Sequence, residues 1–586
     1  MSVRPKPSPY VIGIDLGTTN SSASVYLKGD PQTIPLSPTV ANKDGRSMPS
    51  VVQFKGGMRD ELAVGTSAKK SILIAPQEVF SSVKMIMRQG NWQDDPELVD
   101  KFKVAGEPIE PEEIAAEILK ALMEEIHTQE TIDLKGEVER VVICVPANTT
   151  DIYRRGVYQA VALAGIGEKD DNGDVILDDQ QRPQGVSLLE EPTAAAMEYG
   201  RQLGLWKDER EQTILVYDLG GGTFDVTILN VDSNVAPPKF TVIATKGIAQ
   251  LGGDDFDREL MKMCADQFNA ESGIDIFDLK SDQAGGTSGK ELKKAQQKLK
   301  ETAEEAKIAF AGGSNREEIN IPNFVKDGNG KVHNLEVEVL KKDFLEHVKP
   351  LLEQAQQCIR DVLGEVDLTL DDINRVVMVG GSTKADWIKE SIMGLYPPGE
   401  EKAPYVAADV DVIVSQGAAV YGATLLTEYD ENVATEDTLE VQKEDIVSHH
   451  LGVELKGNVF GLVMPKGLPL NAETPVQEAH QVFGNPENRD HVHITIWKTQ
   501  KTMDVEAQED GTHKTAERQF VNERDDLGHR LFEYIGDFTL KGIPKAPQGT
   551  NRVDVTMEIN RENMLKVSAK CMGQEGEKEL DVDASN

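Results

Sequence analysis

Two short segments carry residue types suited to phosphate chemistry. Asp15-Leu16-Gly17-Thr18-Thr19-Asn20 follows the apolar run VIGI, and Asp218-Leu219-Gly220-Gly221-Gly222-Thr223 follows ILVY. Each sets a carboxylate at the end of a buried strand. The glycines after it let backbone amides approach an anion closely, because no side chain stands in the way. Threonine hydroxyls add neutral donors. A carboxylate beside a phosphate cradle repels the ligand unless a divalent cation sits between them. Magnesium meets that need, since it keeps its waters while bridging carboxylates and phosphates. Taken singly, either segment is a tight Asp-Gly hairpin turn with a structural role. Two copies in register, with Gly380-Gly381 ending a third apolar run, RVVMV, favour the phosphate reading.

The elements around these turns repeat as well. Asp15 and Asp218 stand about 200 residues apart, too far for a solenoid repeat. The spacing predicts two related α/β domains, each opening with a strand–turn–strand hairpin. PEEIAAEILKALMEEI (111–126) and KKAQQKLKETAEEAKIAF (293–310) show apolar residues at spacings of three and four, as amphipathic helices require. Near residue 428 the pattern changes. The acidic stretch 429–446 reads as a linker, and from 447 to 586 period-two alternations such as HVHITIW and RVDVTMEIN predict an antiparallel β domain. Within it, 499–530 reads as a long loop or insertion, and nothing helical is expected after the last strand.

Composition narrows the partners. The net charge of −38 argues against a duplex nucleic acid, whose binding rests on an excess of cations, and against anchoring on anionic lipid. Hydrophobic residues make up 39% of the chain, enough to build cores and too much for a disordered chain. Cys144, Cys264, Cys358 and Cys571 form no CxxC pair, so a zinc ribbon or redox motif is not encoded. No run approaches the ~18 apolar residues of a membrane helix. The prolines of the opening MSVRPKPSPY do not suit a signal peptide. Cytoplasmic localisation is the expectation.

The twin hairpins and Gly380-Gly381 together resemble the actin-like ATPase superfamily. VICVPANTTDIYRRGVYQAVALAGI (142–166), LLEEPTAAAMEYG (188–200), LGGDDFD (251–257), VGGSTK (379–384) and IGDFTLKGIPKAPQGTNRVDVTMEINRENMLKVSAK (535–570) narrow it. They resemble the 70-kDa heat-shock chaperones of the DnaK type, from about residue 10 to the C-terminus. The helical lid of that family is expected to be absent here. The resemblance implies an actin-like, RNase H-like duplicated ATPase domain over 1–428 and a peptide-binding β-sandwich over 447–586. It implies ATP or ADP with Mg2+, and K+ as a further ion. It also implies unfolded or extended polypeptide as the client, with a J-domain co-chaperone and a nucleotide exchange factor as partners.

Residue by residue, the resemblance assigns magnesium to Asp15 and Asp218, through its waters. Gly17, Thr18, Thr19 and Asn20 take the phosphates on one side, and Gly220, Gly221, Gly222 and Thr223 on the other. Lys69 approaches the γ-phosphate, while Glu191, Asp218 and Asp225, with Thr193 beside Glu191, orient the attacking water. Adenosine falls between Gly380, Gly381, Ser382, Lys384, Asp411 and the helix bearing Glu304 and Lys307. Pro146 and Arg154 match the interdomain switch. Phe460, Phe483, Val492, Ile494 and Ile496 match the apolar peptide groove.

Several positions depart from the family. Lys384 stands where an arginine stacks on adenine, and Ala311 where a serine donates a hydroxyl, so weaker nucleotide affinity is expected. Gln442-Lys443-Glu444 replace a leucine-rich linker, and a charged segment is expected to gain little by burial. His449, His450, His491 and His493 are expected at the surface. These departures keep open a regulatory or adaptor protein with weak ATPase. A metabolite kinase of the same superfamily, or a filament-forming ATPase, leaves the C-terminal β domain without a purpose.

Overall fold

The computed structural model describes residues 6–572, apart from 73, 90–91, 148, 150, 179, 205–209, 249, 279–286, 398, 400–401, 408, 430–438, 472–473, 475, 485–487, 502, 509–510, 525–529 and 561–563. Half of the acidic linker, 430–438, and the last residues of the chain therefore lie outside the described residues.

The first lobe is built on strands β1 (Val11–Leu16), β2 (Asn20–Leu27), β3 (Asp30–Thr33), β4 (Arg140–Val145) and β5 (Val186–Glu190). They run in the order β5-β4-β1-β2-β3, with Met48–Pro49 also paired to β2. After Arg140, strand β4 is apolar throughout, VVICV, because it is covered on both faces, as parallel strands generally are. The hairpin β1–β2 is antiparallel, and Asp15 lies opposite Ser22 at its closed end.

A second sheet repeats the design. Strands β6 (Glu211–Leu219), β7 (Phe224–Asp232), β8 (Lys239–Ile248), β9 (Arg375–Val379), β10 (Tyr405–Val406) and β11 (Gln442–Ile446) run in the order β10-β9-β6-β7-β8-β11. Asp218 pairs with Asp225 at the closed end of β6–β7. Among the flanking helices are α1 (Pro111–Thr128), α2 (Asp151–Leu163), α3 (Glu191–Gln202), α4 (Gly253–Ser272), α5 (Gly289–Ala311), α6 (Lys341–Gly364) and α7 (Ile413–Tyr429). Pro111 at the first turn and the reciprocal Glu110–Glu113 capping box start α1 where the sequence pattern places it.

The two lobes share a central core. It takes Val11, Val142 and Cys144 from the first sheet, Ile214, Val216 and Val377 from the second, and small residues of α3 and α7 between them. Close approach explains the glycine and alanine content of those helices. A Cβ on Gly417 of α7 would lie 1.8 Å from the Ala194 carbonyl oxygen of α3.

The linker ends in a strand of the second sheet. Phe240 of β8 pairs with Lys443 of β11, and Ile446 joins the central core. A charged segment was expected to gain little by burial, and the structure corrects this. Lys443 meets Glu190 at 2.5 Å and Asp445 at 3.1 Å, while Glu444, on the opposite face, meets Lys239 at 2.8 Å. Each charge arrives with a partner, which removes most of the penalty for leaving water.

The C-terminal domain is a sandwich of two antiparallel sheets. One comprises β12 (His450–Leu455), β13 (Val459–Met464), β15 (His491–Thr499) and β16 (Glu533–Lys541); the other comprises β14 (Val476–Gly484), β17 (Arg552–Asn560) and β18 (Leu565–Met572). The insertion after β15 folds back onto β13, where Val459 bridges Phe520 and the Val521 amide donates to the Asn458 carbonyl at 2.9 Å. Lys466 ties the sandwich to the second lobe through Glu365, at 2.6 Å, and the Thr245 carbonyl, at 3.0 Å. No helix among the described residues is long and apolar enough to cross a membrane.

Replacing Gly417 by valine is expected to force α3 and α7 apart and cost roughly 1–3 kcal/mol or more. Thermal unfolding measures this; an unchanged melting temperature would mean that the helices have room to spare.

Candidate active site

The turns of the two hairpins face each other across a cavity of about 370 Å³. Gly17, Thr18, Thr19 and Asn20 line it from one lobe, and Gly220, Gly221 and Thr223 from the other. The turns nearly touch: a Cβ on Gly221 would stand 2.0 Å from Thr19 Oγ1. Glycine is required there so that the backbone can reach the cavity. Gly380 is required for a second reason, because its φ of +86° belongs to the left-handed region.

Carboxylates form the floor. Asp15 and Asp218 end their strands in the cavity, Glu191 opens α3, and Asp225 is buried next to them. Lys84 is ion-paired with Glu191, and Arg88 lies 3.7 Å from Asp225. Removal from water and repulsion by Glu191 raise Asp15 to about 7. Burial lifts Asp225 to about 6, against the opposing pull of Arg88. Asp218 is raised well above the carboxylate range by burial, then by Glu191, Asp225 and Asp15. Asp225 Oδ1 and Thr193 Oγ1 are buried with no hydrogen-bond partner among the described residues. Such a site has unmet negative charge and unmet hydrogen-bonding capacity, and a hydrated cation answers both. Among the described residues, no three His, Cys, Asp or Glu converge as direct metal ligands.

The far wall carries Glu304, Lys307 and Ile308 of α5, with Gly380, Gly381, Ser382, Lys384 and Asp411 opposite. Ser382 Oγ donates to the Gly220 carbonyl at 3.0 Å, tying this wall to the second hairpin. Lys307 bridges Asp257, at 2.7 Å, and the Gly253 carbonyl, at 3.0 Å. Lys384 is ion-paired with Asp411, which the resemblance assigns to the same base-side wall. Ala311 does not line the cavity.

Lys69 is placed differently from its neighbours in the sequence reading. It is half-exposed, 3.5 Å from Glu304, and is not among the lining residues. The cation on the floor is Lys84, which the sequence reading missed. Its signal was a lysine and an arginine four residues apart, Lys84 and Arg88, in the short helix Val83–Gln89.

Pro146 ends β4, and its carbonyl accepts from Thr149 Oγ1 at 3.1 Å. Arg154 is fully buried in α2, bound to Glu190 at 3.0 Å, with no hydrogen-bond partner for Nε or Nη1 among the described residues. In the sandwich, Ile494 and Ile496 lie in the core, while Phe483 and Val492 pack against it from its edge, partly exposed. Phe460 is covered by the insertion, among Leu462, Trp497, Val521 and Phe532, with the Phe532 ring 5.0 Å away. His491 and His493 are partly or fully exposed, as expected, but His449 and His450 are buried at the domain junction. His449 Nδ1 lies 2.8 Å from Ser448 Oγ, and His450 Nδ1 accepts from the Lys466 amide at 3.1 Å. Burial lowers the pKa of both.

Two duplicated lobes thus close twin glycine hairpins over a carboxylate floor, and a β-sandwich follows them. The sequence profile described as Hsp70 protein matches residues 11–586. The chain is 31% identical over 566 residues to the chaperone protein DnaK of Thermosipho melanesiensis, an alignment that covers 96% of this chain and 78% of that protein. The chain belongs to the Hsp70 family of ATP-dependent molecular chaperones, and its enzymatic activity is that of an ATPase.

The raised carboxylates must release protons before they attract a cation. Magnesium affinity is therefore expected to rise between about pH 5.5 and 7.5, by up to roughly tenfold per pH unit for each proton released. The same sign makes the metal-free fold lose stability as pH rises through 6 and 7, since the unfolded carboxylates are already ionised. Calorimetric titration across this range, with a flat profile as the contrary result, tests the assignment.

Proposed function

We propose that the cleft binds ATP with Mg2+ and that the cycle of hydrolysis and nucleotide exchange controls the affinity of the sandwich for extended apolar polypeptide. One observation carries the reading: the twin glycine turns face each other over a floor with more carboxylate than cation. Gly17–Asn20 and Gly220–Thr223 would hold phosphate oxygens, with Glu304, Lys307, Gly380, Gly381, Ser382, Lys384 and Asp411 around the nucleoside. Asp15 and Asp218 would hold magnesium through its waters, and Mg2+, when bound, neutralises developing charge on the phosphates. Glu191 and Asp225 would orient the attacking water and accept its proton. Lys84 holds the Glu191 carboxylate toward the floor. Lys69 would reach the γ-phosphate by leaving Glu304, a rearrangement its exposure permits.

On the sandwich, Phe483 and Val492 would meet a peptide at the surface, with Phe460, Ile494 and Ile496 behind them. Main-chain hydrogen bonds would give affinity, and a central pocket would select a leucine-like side chain. Pro146 and Arg154 would relay the state of the cleft. The co-chaperone classes implied by the family, a J-domain protein and an exchange factor, extend this proposal to partners. A second reading, an adaptor with weak turnover, draws support from the Lys69–Glu304 pair, which leaves Lys69 outside the cleft lining.

Phosphoryl transfer depends on positioning and charge, so Asp218→Asn and Lys69→Met are each expected to lower single-turnover hydrolysis by about 100-fold while changing ADP affinity far less. Normal turnover in Lys69→Met, with loss in Asp218→Asn, would transfer the γ-phosphate role to another cation. The affinity of a labelled leucine-rich peptide, with magnesium, is expected to be severalfold weaker in ATP than in ADP. Equal affinities would favour the adaptor.

A further inference from the structure

Glu190 and Glu191 are consecutive, at the junction of β5 and α3, yet their carboxylates serve different regions. Glu191 faces Lys84 and the cleft. Glu190 points away from it, to Arg154 at 3.0 Å and to Lys443 of the linker strand at 2.5 Å. Lys443 also meets Asp445 at 3.1 Å, and the whole group is nearly sealed from water: side-chain exposure is 0% for Arg154, 3% for Glu190, 7% for Asp445 and 14% for Lys443. Burial by itself would raise Glu190, but Lys443 and Arg154 hold it well below the usual carboxylate range. Burial likewise opposes the charge on Lys443, and Glu190 with Asp445 sustains it.

Backbone pairing alone does not account for the docked linker. Strand β11 meets β8 over three residue pairs, Lys239–Gln442, Phe240–Lys443 and Thr241–Glu444, and the Pro469–Leu470 strand over two, Asp445–Leu470 and Ile446–Pro469; of the described linker residues Ile446 lies in the central core, with Leu439 and Val441 packed against it. A buried ion pair is costly to break from one side, because the remaining charge stays in a site without water. That makes docking close to all-or-none.

We propose that Glu190 and Lys443 form a buried ionic latch that ties the linker strand, paired to the second lobe, to the first lobe, and that the Glu190-Glu191 dipeptide relays the occupancy of the cleft to this latch. Both are positioning residues, since neither touches the nucleotide. One peptide bond joins the carboxylate that faces the cleft to the one that holds the linker. A shift of the β5–α3 junction on nucleotide binding therefore moves both ends of the relay. The relay rests on the cleft being a nucleotide site; the latch does not.

Amide hydrogen exchange at residues 443–446 of the full-length chain, with magnesium and either ATP or ADP, tests it. Lys443→Met and Glu190→Gln are each expected to speed exchange by about tenfold or more, and the double variant by clearly less than the product of the two factors. Lys443→Arg, which keeps the charge, should retain protection. In wild type, protection should differ between ATP and ADP, and in Glu190→Gln that difference should vanish while calorimetry still detects ATP binding. Wild-type exchange in both single variants, or strictly multiplicative effects, would overturn the latch. Equal linker protection in ATP and ADP in a wild-type chain that binds both would overturn the relay alone. Absence of ATP binding in wild type would bring down the relay together with the reading of the cleft.

Discussion

Asp15, Glu191, Asp218 and Asp225 are drawn away from bulk water into one cleft, and Lys84 and Arg88 are the cations that accompany them among the described residues. Like charges held together in a poorly hydrated place repel more strongly than at a surface, so the fold must hold them there by other means. Those means are the apolar strands behind each aspartate and the tight packing of α3 and α7 between the sheets. The raised carboxylates follow from this placement, and a bound cation would relieve it. A site of this kind is destabilising when empty and stabilising when filled, which is the linkage a nucleotide-driven machine requires.

What was legible in the sequence is local. The Asp-Leu-Gly turns and the strand on each side of them are contiguous, so glycine spacing and β-branched runs suffice to place them. The duplicated α/β organisation follows from the same turns occurring twice. What escaped is pairing over distance. Lys84 meets Glu191 across 107 residues, and Lys443 meets Glu190 across 253. Neither lysine differs in its immediate sequence from one that would stand in solvent.

The linker shows how such a reading fails. Its charges suggested exposure because a polar residue loses by burial when it comes alone. In the folded chain Lys443, Glu444 and Asp445 each arrive beside a group of opposite charge, and strand alternation sends the first and third to one face and the second to the other. Burial in this segment depends on complementarity to Glu190 and Lys239 as well as on apolarity. The insertion after β15 acts in the opposite direction. It turns Phe460 from an edge residue into the centre of a small cluster, because Val521 and Phe532, far along the chain, fold back over it.

The same electrostatic logic therefore operates on both sides of the β5–α3 junction, with opposite outcomes. On the cleft side, carboxylate exceeds cation, and the imbalance leaves room for a ligand. On the linker side, Glu190 is matched by Arg154 and Lys443, and the group is closed. An unbalanced site responds to what binds it, whereas a balanced one resists change until a partner is pulled out of register. Placing the two on adjacent residues joins a responsive site to one that switches sharply. An apolar linker would lose contact by degrees as it slid from its groove. An ionic one loses its partner over a short displacement, because charge–charge contact within a buried site falls steeply once water enters.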